Sequence, residues 1–266
     1  ARFHEEPAII LLPAAALTRR VVPASEVLAR SHHLVVEDEI DRDVFVRRLT
    51  DSGYLRVPLV EDPGTFSVRG ALLDVWPPGA PLPCRVELDG DFVASLKIFD
   101  PEDQRSREQR TAIWLPPARE AASDEASLDR ASASLRARCD AVDFPSSKTR
   151  ALIEDVLTGR SFFGADGFLP AFTDLAPLTD QLPEGAVVIV EEPSAVAAAL
   201  QAELERAETD ALEKRDQPSY PLEAFYVERE AIDAWLGRVT ALGLSDTPIL
   251  GDEVGVLDEL GGKDGT

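Results

Sequence analysis

The chain has 266 residues, 44% of them apolar, with 27 Lys and Arg against 49 Asp and Glu and a formal net charge of −22. That length can hold two domains and a substantial core. The acidity argues against sequence-independent nucleic-acid binding, which needs a basic surface to neutralise phosphates, and against an anionic membrane surface. No apolar run reaches the roughly 20 residues of a membrane-spanning helix, and no signal peptide opens the chain. Cys84 and Cys139 lie far apart in different predicted segments, and two free thiols in a reducing cytoplasm is preferred over a disulfide. Met is absent, including at position 1, as in a processed product or a piece cut from something longer.

In chain order, residues 8–12 (AIILL) form a short, continuously apolar run before Pro13, which predicts a buried parallel strand. A helical turn is predicted over 14–20, a short helix capped by Ser25 through Arg30, and a strand over 31–36. Asp41 opens a helix to Asp51 with Val44, Phe45 and Leu49 as its apolar stripe and Gly53 as its stop.

From Gly53 to Glu120 the pattern changes to period-two alternation. Phe66 and Val68 alternate with Ser67 and Arg69; Cys84, Val86 and Leu88 with Arg85, Glu87 and Asp89; and Phe92, Ala94, Leu96 and Ile98 with Val93, Ser95, Lys97 and Phe99. Such alternation belongs to half-buried antiparallel strands. Asp89-Gly90 marks a hairpin. A three-residue loop from Asp89 to Asp91, pairing Leu88 with Phe92 and Val86 with Ala94, keeps the apolar side chains on one face. Pro77, Pro78, Gly79, Pro81 and Pro83 break the pattern between strands. Arg69 and Arg85 both fall on the polar face of the resulting small sheet.

After Glu120, residues 121–125 read as a linker. Leu128, Ala131, Leu135 and Cys139 line one face of a helix, and a second helix runs from Ser147 to Gly159. An aromatic segment over 161–172 precedes residues 178–182 and a turn at 183–185. Residues 186–190 (AVVIV) are the clearest buried strand. A helix is predicted over 193–213 with Val196, Leu200, Leu204 and Leu212 as its stripe, then a strand over 222–227, a helix over 229–242 and a frayed Gly- and Asp-rich tail over 251–266.

The run Phe66-x-Val68-Arg69-Gly70-Ala71-Leu72-Leu73-Asp74-Val75-Trp76-Pro77-x-Gly79, then Arg85-Val86-Glu87, Phe99-Asp100-Pro101-x-x-Gln104-Arg105-Ser106 and Leu115-Pro116-x-Ala118-Arg119-Glu120, resembles the inserted domain of the UvrB/Mfd repair family. The resemblance extends to the flanks and implies an α/β architecture: a degenerate RecA-like, P-loop-type parallel-sheet domain split by a small antiparallel β-rich domain. The implied boundaries are 1–52 for the first, incomplete part of the RecA-like domain, 53–120 for the inserted domain, 121–258 for the remainder and 259–266 for a flexible tail. In that family the inserted domain docks on UvrA, the damage sensor of nucleotide excision repair. The family's UvrA-contacting arginines align with Arg69 and Arg85, and an aromatic contact position of some members aligns with Asp89.

A RecA-like fold raises the question of nucleotide hydrolysis. Gly-x4-Gly-Lys-[Ser/Thr], whose amides would cradle phosphates, does not occur, and residues 261–266 (GGKDGT) are a faint echo with no strand before them. Where UvrB-like ATPases carry Asp-Glu-Ser-His, with Asp holding Mg²⁺, this chain reads Val190-Glu191-Glu192-Pro193. The three tyrosines, Tyr54, Tyr220 and Tyr226, form no cluster before Gly53 such as the DNA-clamping hairpin of UvrB. Both departures favour the Mfd branch over UvrB.

Other chemistries find less support. His4, His32 and His33 lack further ligands at metal-binding spacing. No Gly-x-Ser-x-Gly elbow occurs, and acidic groups such as Asp100, Glu102 and Asp103 or Glu191-Glu192 read as solvated or capping. Lys97, Arg105, Arg107 and Arg110 read first as locally paired with Glu102, Asp103 and Glu108 at helical spacing, with a share in the partner surface as the alternative.

The resemblance thus implies the UvrB-like N-terminal region of a transcription-repair coupling factor, a bacterial cytoplasmic binding module without catalysis or cofactor of its own. UvrA would be its partner. RNA polymerase, DNA, ATP and Mg²⁺ would engage other parts of the parent, an ATP-driven translocase. The competing class is a fragment of UvrB, or a UvrB-like ATPase that binds nucleotide and damaged DNA.

Overall fold

The computed structural model describes residues 9–158, 165–183 and 185–245. The tail over 251–266 with its GGKDGT echo, His4, Gly159 and the start of the aromatic segment at 161–164 lie outside the described residues. In chain order the elements are β1 (Arg20–Val21), α1 (Ala24–Ala29), β2 (His32–Val35), α2 (Arg42–Asp51), β3 (Leu55–Arg56), β4 (Thr65–Arg69), β5 (Leu72–Val75), β6 (Cys84–Asp89), β7 (Phe92–Phe99), β8 (Ser106–Arg110), β9 (Ala112–Leu115), α3 (Glu125–Ala141), α4 (Ser146–Leu157), β10 (Ala176–Pro177), β11 (Val187–Glu191), α5 (Pro193–Glu213), α6 (Arg229–Leu236) and β12 (Thr240–Leu244). They form a mixed α/β chain. Two compact units divide it: one holds Ala24–Ala137 and Ser147–Thr173, the other the segments up to Pro23, Arg138–Ser146 and from Asp174 onward. Residues 24–52, read from sequence with the flanking domain, thus cluster with the central sheet.

The first unit is built on a six-stranded sheet in the order β3-β4-β5-β6-β7-β8, parallel at β3–β4 and antiparallel elsewhere. Its inner face carries Phe66, Leu73, Val75, Cys84, Val86 and Leu96, packed with Leu34 of β2 and Phe45 and Leu49 of α2. Each fully buried side chain of this size contributes roughly 1.5–3 kcal/mol. Helix α2 begins where the sequence places it, because Asp41 Oδ1 accepts from Val44 N at 2.9 Å. It ends at Gly53, whose φ of +85° is open to glycine at no steric cost. β2 pairs with β9 as an antiparallel ribbon.

The β6–β7 hairpin differs from the expected register. Its loop has two residues, Gly90 and Asp91, so Asp89 pairs with Phe92 and Leu88 with Val93. Between Glu87 and Leu88 the ladder shifts, bringing Glu87 opposite Ser95 and Val86 opposite Leu96. Ala94 is the extra residue of a β-bulge. The bulge reverses the phase of the alternation. Val93 and Leu96 therefore both reach the core, while Phe92 and Ala94, expected inward, are exposed.

In the second unit β11 and β12 form a parallel pair, with α5 and α6 between them in sequence. One face of this pair buries Val190 in a cluster with Leu200, Ile232, Trp235 and Leu236. On the other face Val187, Ile189, Leu242 and Leu244 are exposed, so β11 is not the doubly buried strand its apolar run predicts. Residues 9–12 form no strand either; Ile9 and Leu11 are exposed, and residues 10–12 line an open groove of about 730 Å³ beside β11. Continuous apolarity signals burial on both faces only when a layer stands on each, and among the described residues one layer is present. The strand predicted over 222–227 is a 3-10 turn, Leu222–Ala224. The helix predicted to Leu242 stops at Leu236, and Thr240–Leu244 pair with β11 instead. Leu212 of the α5 stripe is exposed, whereas Leu200 is buried.

Among the described residues no helix is long and apolar enough to cross a membrane. Cys84 and Cys139 are free, buried thiols.

Candidate partner-docking face

The face of the six-stranded sheet opposite its core is where the two predicted arginines lie. Strand pairing sets Ser67, Asp74, Arg85 and Lys97 in one cross-strand row, and Arg69, Leu72, Glu87 and Ser95 in the next. Asp89 and Phe92 close this face at the hairpin end. The period-two alternation that buries Leu73, Val75 and Val86 directs these residues the other way.

Asp74 is the pivot. Its side chain is 0% exposed and receives both guanidinium groups. Arg85 Nε donates to Asp74 Oδ1 at 2.7 Å and Arg85 Nη2 to Oδ2 at 3.0 Å, a two-point bond. Arg69 Nη2 donates to the same Oδ2 at 2.6 Å. Arg85 Nη1 donates to the carbonyl of Gln104 at 3.2 Å, and its guanidinium lies 4.6 Å over the Phe99 ring. The hydrogen bonds that Arg85 donates to Asp74 raise its pKa and hold the guanidinium charged.

Both arginines lie on the polar face of the sheet, but they are not equivalent. Arg85 is 14% exposed, with Nε and Nη2 on Asp74, Nη1 on the Gln104 carbonyl and its guanidinium over the Phe99 ring. Arg69 is 44% exposed and, among the described residues, bonds through Nη2 alone. Asp89 is exposed at the end of β6. The structure thus brings Arg69 and Arg85 together through Asp74 and sets Asp89 apart, beside Phe92.

Glu87 completes the centre of the face. Lys97 Nζ donates to it at 2.7 and 2.8 Å and Ser95 Oγ at 2.5 Å. The bonds from Lys97 first, and then that from Ser95, lower the Glu87 pKa from the ordinary glutamate value. Of the basic cluster beyond it, Arg107 and Arg110 are locally paired, but on a strand, and Lys97 pairs with Glu87 instead. Arg107 bonds Asp100 at 3.2 Å and Asp103 at 2.7 Å, and Arg110 bonds Glu108 at 3.1 Å, within or next to β8.

Asp74 belongs to the sequence motif, but its place between the two arginines emerges only from the strand pairing. The signal was a lone carboxylate between Leu73 and Val75, in phase with Arg69 and Arg85. The outward turn of Phe92 has no mark in the alternation, because the bulge reverses its phase.

In the other unit, Glu191 ends β11, Glu192 takes a left-handed φ of +49°, and Pro193 opens α5. Glu192 N donates to Leu244 O, and Ser245 Oγ to Glu192 Oε2 at 3.0 Å. Among the described residues no group of three or more His, Cys, Asp or Glu could hold a metal ion.

This face lies within a recognised domain class: residues 33–120 match the UvrB interaction domain. Over most of its length the chain is homologous to transcription-repair-coupling factors. It is 36% identical over 236 residues to the transcription-repair-coupling factor of Myxococcus xanthus, covering 85% of this chain and 20% of that protein. It is 40% identical over 116 residues to that of Bacillus subtilis (43% of this chain, 10% of the relative) and 36% over 123 residues to that of Escherichia coli (46% and 10%). The chain thus spans a fifth or less of the length of these relatives.

Proposed function

We propose that this chain is the UvrA-binding, UvrB-like module of a transcription-repair coupling factor, recruiting nucleotide excision repair to stalled RNA polymerase in the bacterial cytoplasm. The observation that carries this reading is the coincidence of the UvrB interaction domain match over residues 33–120 with an arginine-bearing outer sheet face inside it. Arg69 is the docking cation: its N–H groups without a partner among the described residues reach carboxylates or carbonyls of UvrA while Nη2 stays on Asp74. Arg85 acts mainly by fixing Asp74, and through it the direction of Arg69. Asp89 borders the contact. Fixing a side chain before association lowers the entropy cost of binding.

The flanking unit is a degenerate RecA-like scaffold in this reading. The parallel β11–β12 pair with its intervening helices supports it, as does Glu191-Glu192-Pro193 where a Mg²⁺-holding Asp would stand. This module is not itself an enzyme and takes no cofactor. ATP, Mg²⁺, DNA and RNA polymerase belong to other parts of a translocating parent. Calorimetric titration tests it: the purified chain binds UvrA with saturable heat and gives none with ATP and Mg²⁺. Nucleotide binding without UvrA binding would replace this reading with a UvrB-like ATPase.

A further inference from the structure

We propose that Phe92 is the apolar anchor of the docking face, inserting its ring into a pocket on the same partner that Arg69 engages; this rests on the UvrA-docking reading above. Phe92 is 53% exposed, although phenylalanine is among the residues most often buried. It stands opposite Asp89, and pairing places it on the face that carries Arg69, Arg85 and Glu87.

The exposure follows from the bulge. In an unbroken ladder Phe92 would share the face of Leu96, which is fully buried. The shift between Glu87 and Leu88 gives that inward place to Val93 and turns the ring outward. Re-aiming one side chain is a recurrent use of a β-bulge.

The ring is also held on a fixed base. Glu37 N donates to Val93 O at 2.9 Å, Val93 N to Asp38 O at 2.9 Å, and Ile40 N to Asp91 O at 2.7 Å, so residues 37–40 clamp the hairpin end. A Phe side chain has two torsions to immobilise, so ordering it on binding costs little. Three strand steps of about 4.8 Å separate β4 from β7, which puts Arg69 and Phe92 within one interface of ordinary size. An aromatic ring with an arginine, surrounded by polar groups, is the composition of interface hot spots.

The test is calorimetric affinity for purified UvrA of the wild-type chain, Phe92→Ala, Phe92→Tyr and Arg69→Ala, each at low and high salt, with the urea midpoint of every variant as a folding control. Phe92→Ala should raise Kd about tenfold, by a similar factor at both salt concentrations and with an unchanged midpoint, while Phe92→Tyr keeps near wild-type affinity. A folded Phe92→Ala chain with wild-type affinity, alongside a weakened Arg69→Ala, overturns the anchor and leaves the docking reading standing. A wild-type chain that does not bind UvrA overturns the docking reading and the anchor with it.

Discussion

Arg85 grips Asp74 at two points, 2.7 and 3.0 Å, on a carboxylate with no exposed surface. This bond, more than the outward arginine, organises the outer face. Removing one member of a buried charge pair leaves the other desolvated and unmatched, at a cost of about 3–5 kcal/mol. Asp74→Ala should therefore lower the unfolding free energy by that amount in urea titration. Arg69 is more exposed and shares one oxygen of a carboxylate that Arg85 still holds. Arg69→Ala should cost about 1 kcal/mol or less. Equal losses for the two variants would refute the division of labour.

Gly53 ends α2 at a φ of +85°, and a Cβ there would come within 2.9 Å of Arg119 Cβ. Gly53→Ala therefore meets backbone strain and a steric clash together, and the unfolding free energy should fall by about 2–3 kcal/mol. Gly90 has a φ of +61° but open space around it. Gly90→Ala carries the conformational term alone, about 1 kcal/mol. Thermal unfolding of both variants separates the two contributions.

His32 makes an edge contact with Phe45, and its Nε2 lies 3.2 Å from Ser52 Oγ. Burial lowers its pKa from the ordinary histidine value. The unfolded chain therefore takes up this proton at a higher pH than the folded one, and stability declines as pH falls below about 6.5, levelling off below the folded pKa. His32→Asn should flatten that part of the stability–pH curve. Glu87 adds a change at lower pH: its pKa is depressed, so its stabilisation is present above the ordinary glutamate pKa and is lost as pH falls through the folded value. An unaltered curve for His32→Asn would show that the imidazole does not couple to folding.

The Cys84 thiol lies in the core between β5 and β7, and burial pushes its pKa up to about 12. Little thiolate exists in the folded state at neutral pH, and attack requires thiolate. Labelling of Cys84 by a disulfide reagent should follow unfolding, rising with urea and remaining slow in its absence. Rapid labelling of the folded chain would contradict the described packing.

Much of the sheet could be read from residue order. The alternation of Val86 and Leu88 with Arg85 and Glu87, and the Asp41 cap of α2, depend on local chemistry that spacing reports. What spacing missed was non-local. The ladder shift between Glu87 and Leu88 leaves no mark in the alternation, which therefore puts Phe92 on the wrong face. Thr240–Leu244 continue a helical pattern, and only the free edge of β11 makes them a strand. Arg85 was placed on the correct face, but its burial depends on Gln104 and Phe99, 14 and more residues away, closing over it. Asp74 stands in the sequence as a carboxylate between two apolar residues, but its pairing with Arg85 is set by strand register across β5 and β6.

The central claim is that Arg69, steadied by Asp74, supplies the charge that docks this face on UvrA. The most direct measurement is the affinity of Arg69→Glu for purified UvrA, beside wild type, as a function of ionic strength. The account predicts a folded variant whose Kd rises by about two orders of magnitude, as reversal of a docking charge places like charges together, with a salt dependence flattened or inverted. A folded Arg69→Glu chain with wild-type affinity and wild-type salt dependence would contradict it.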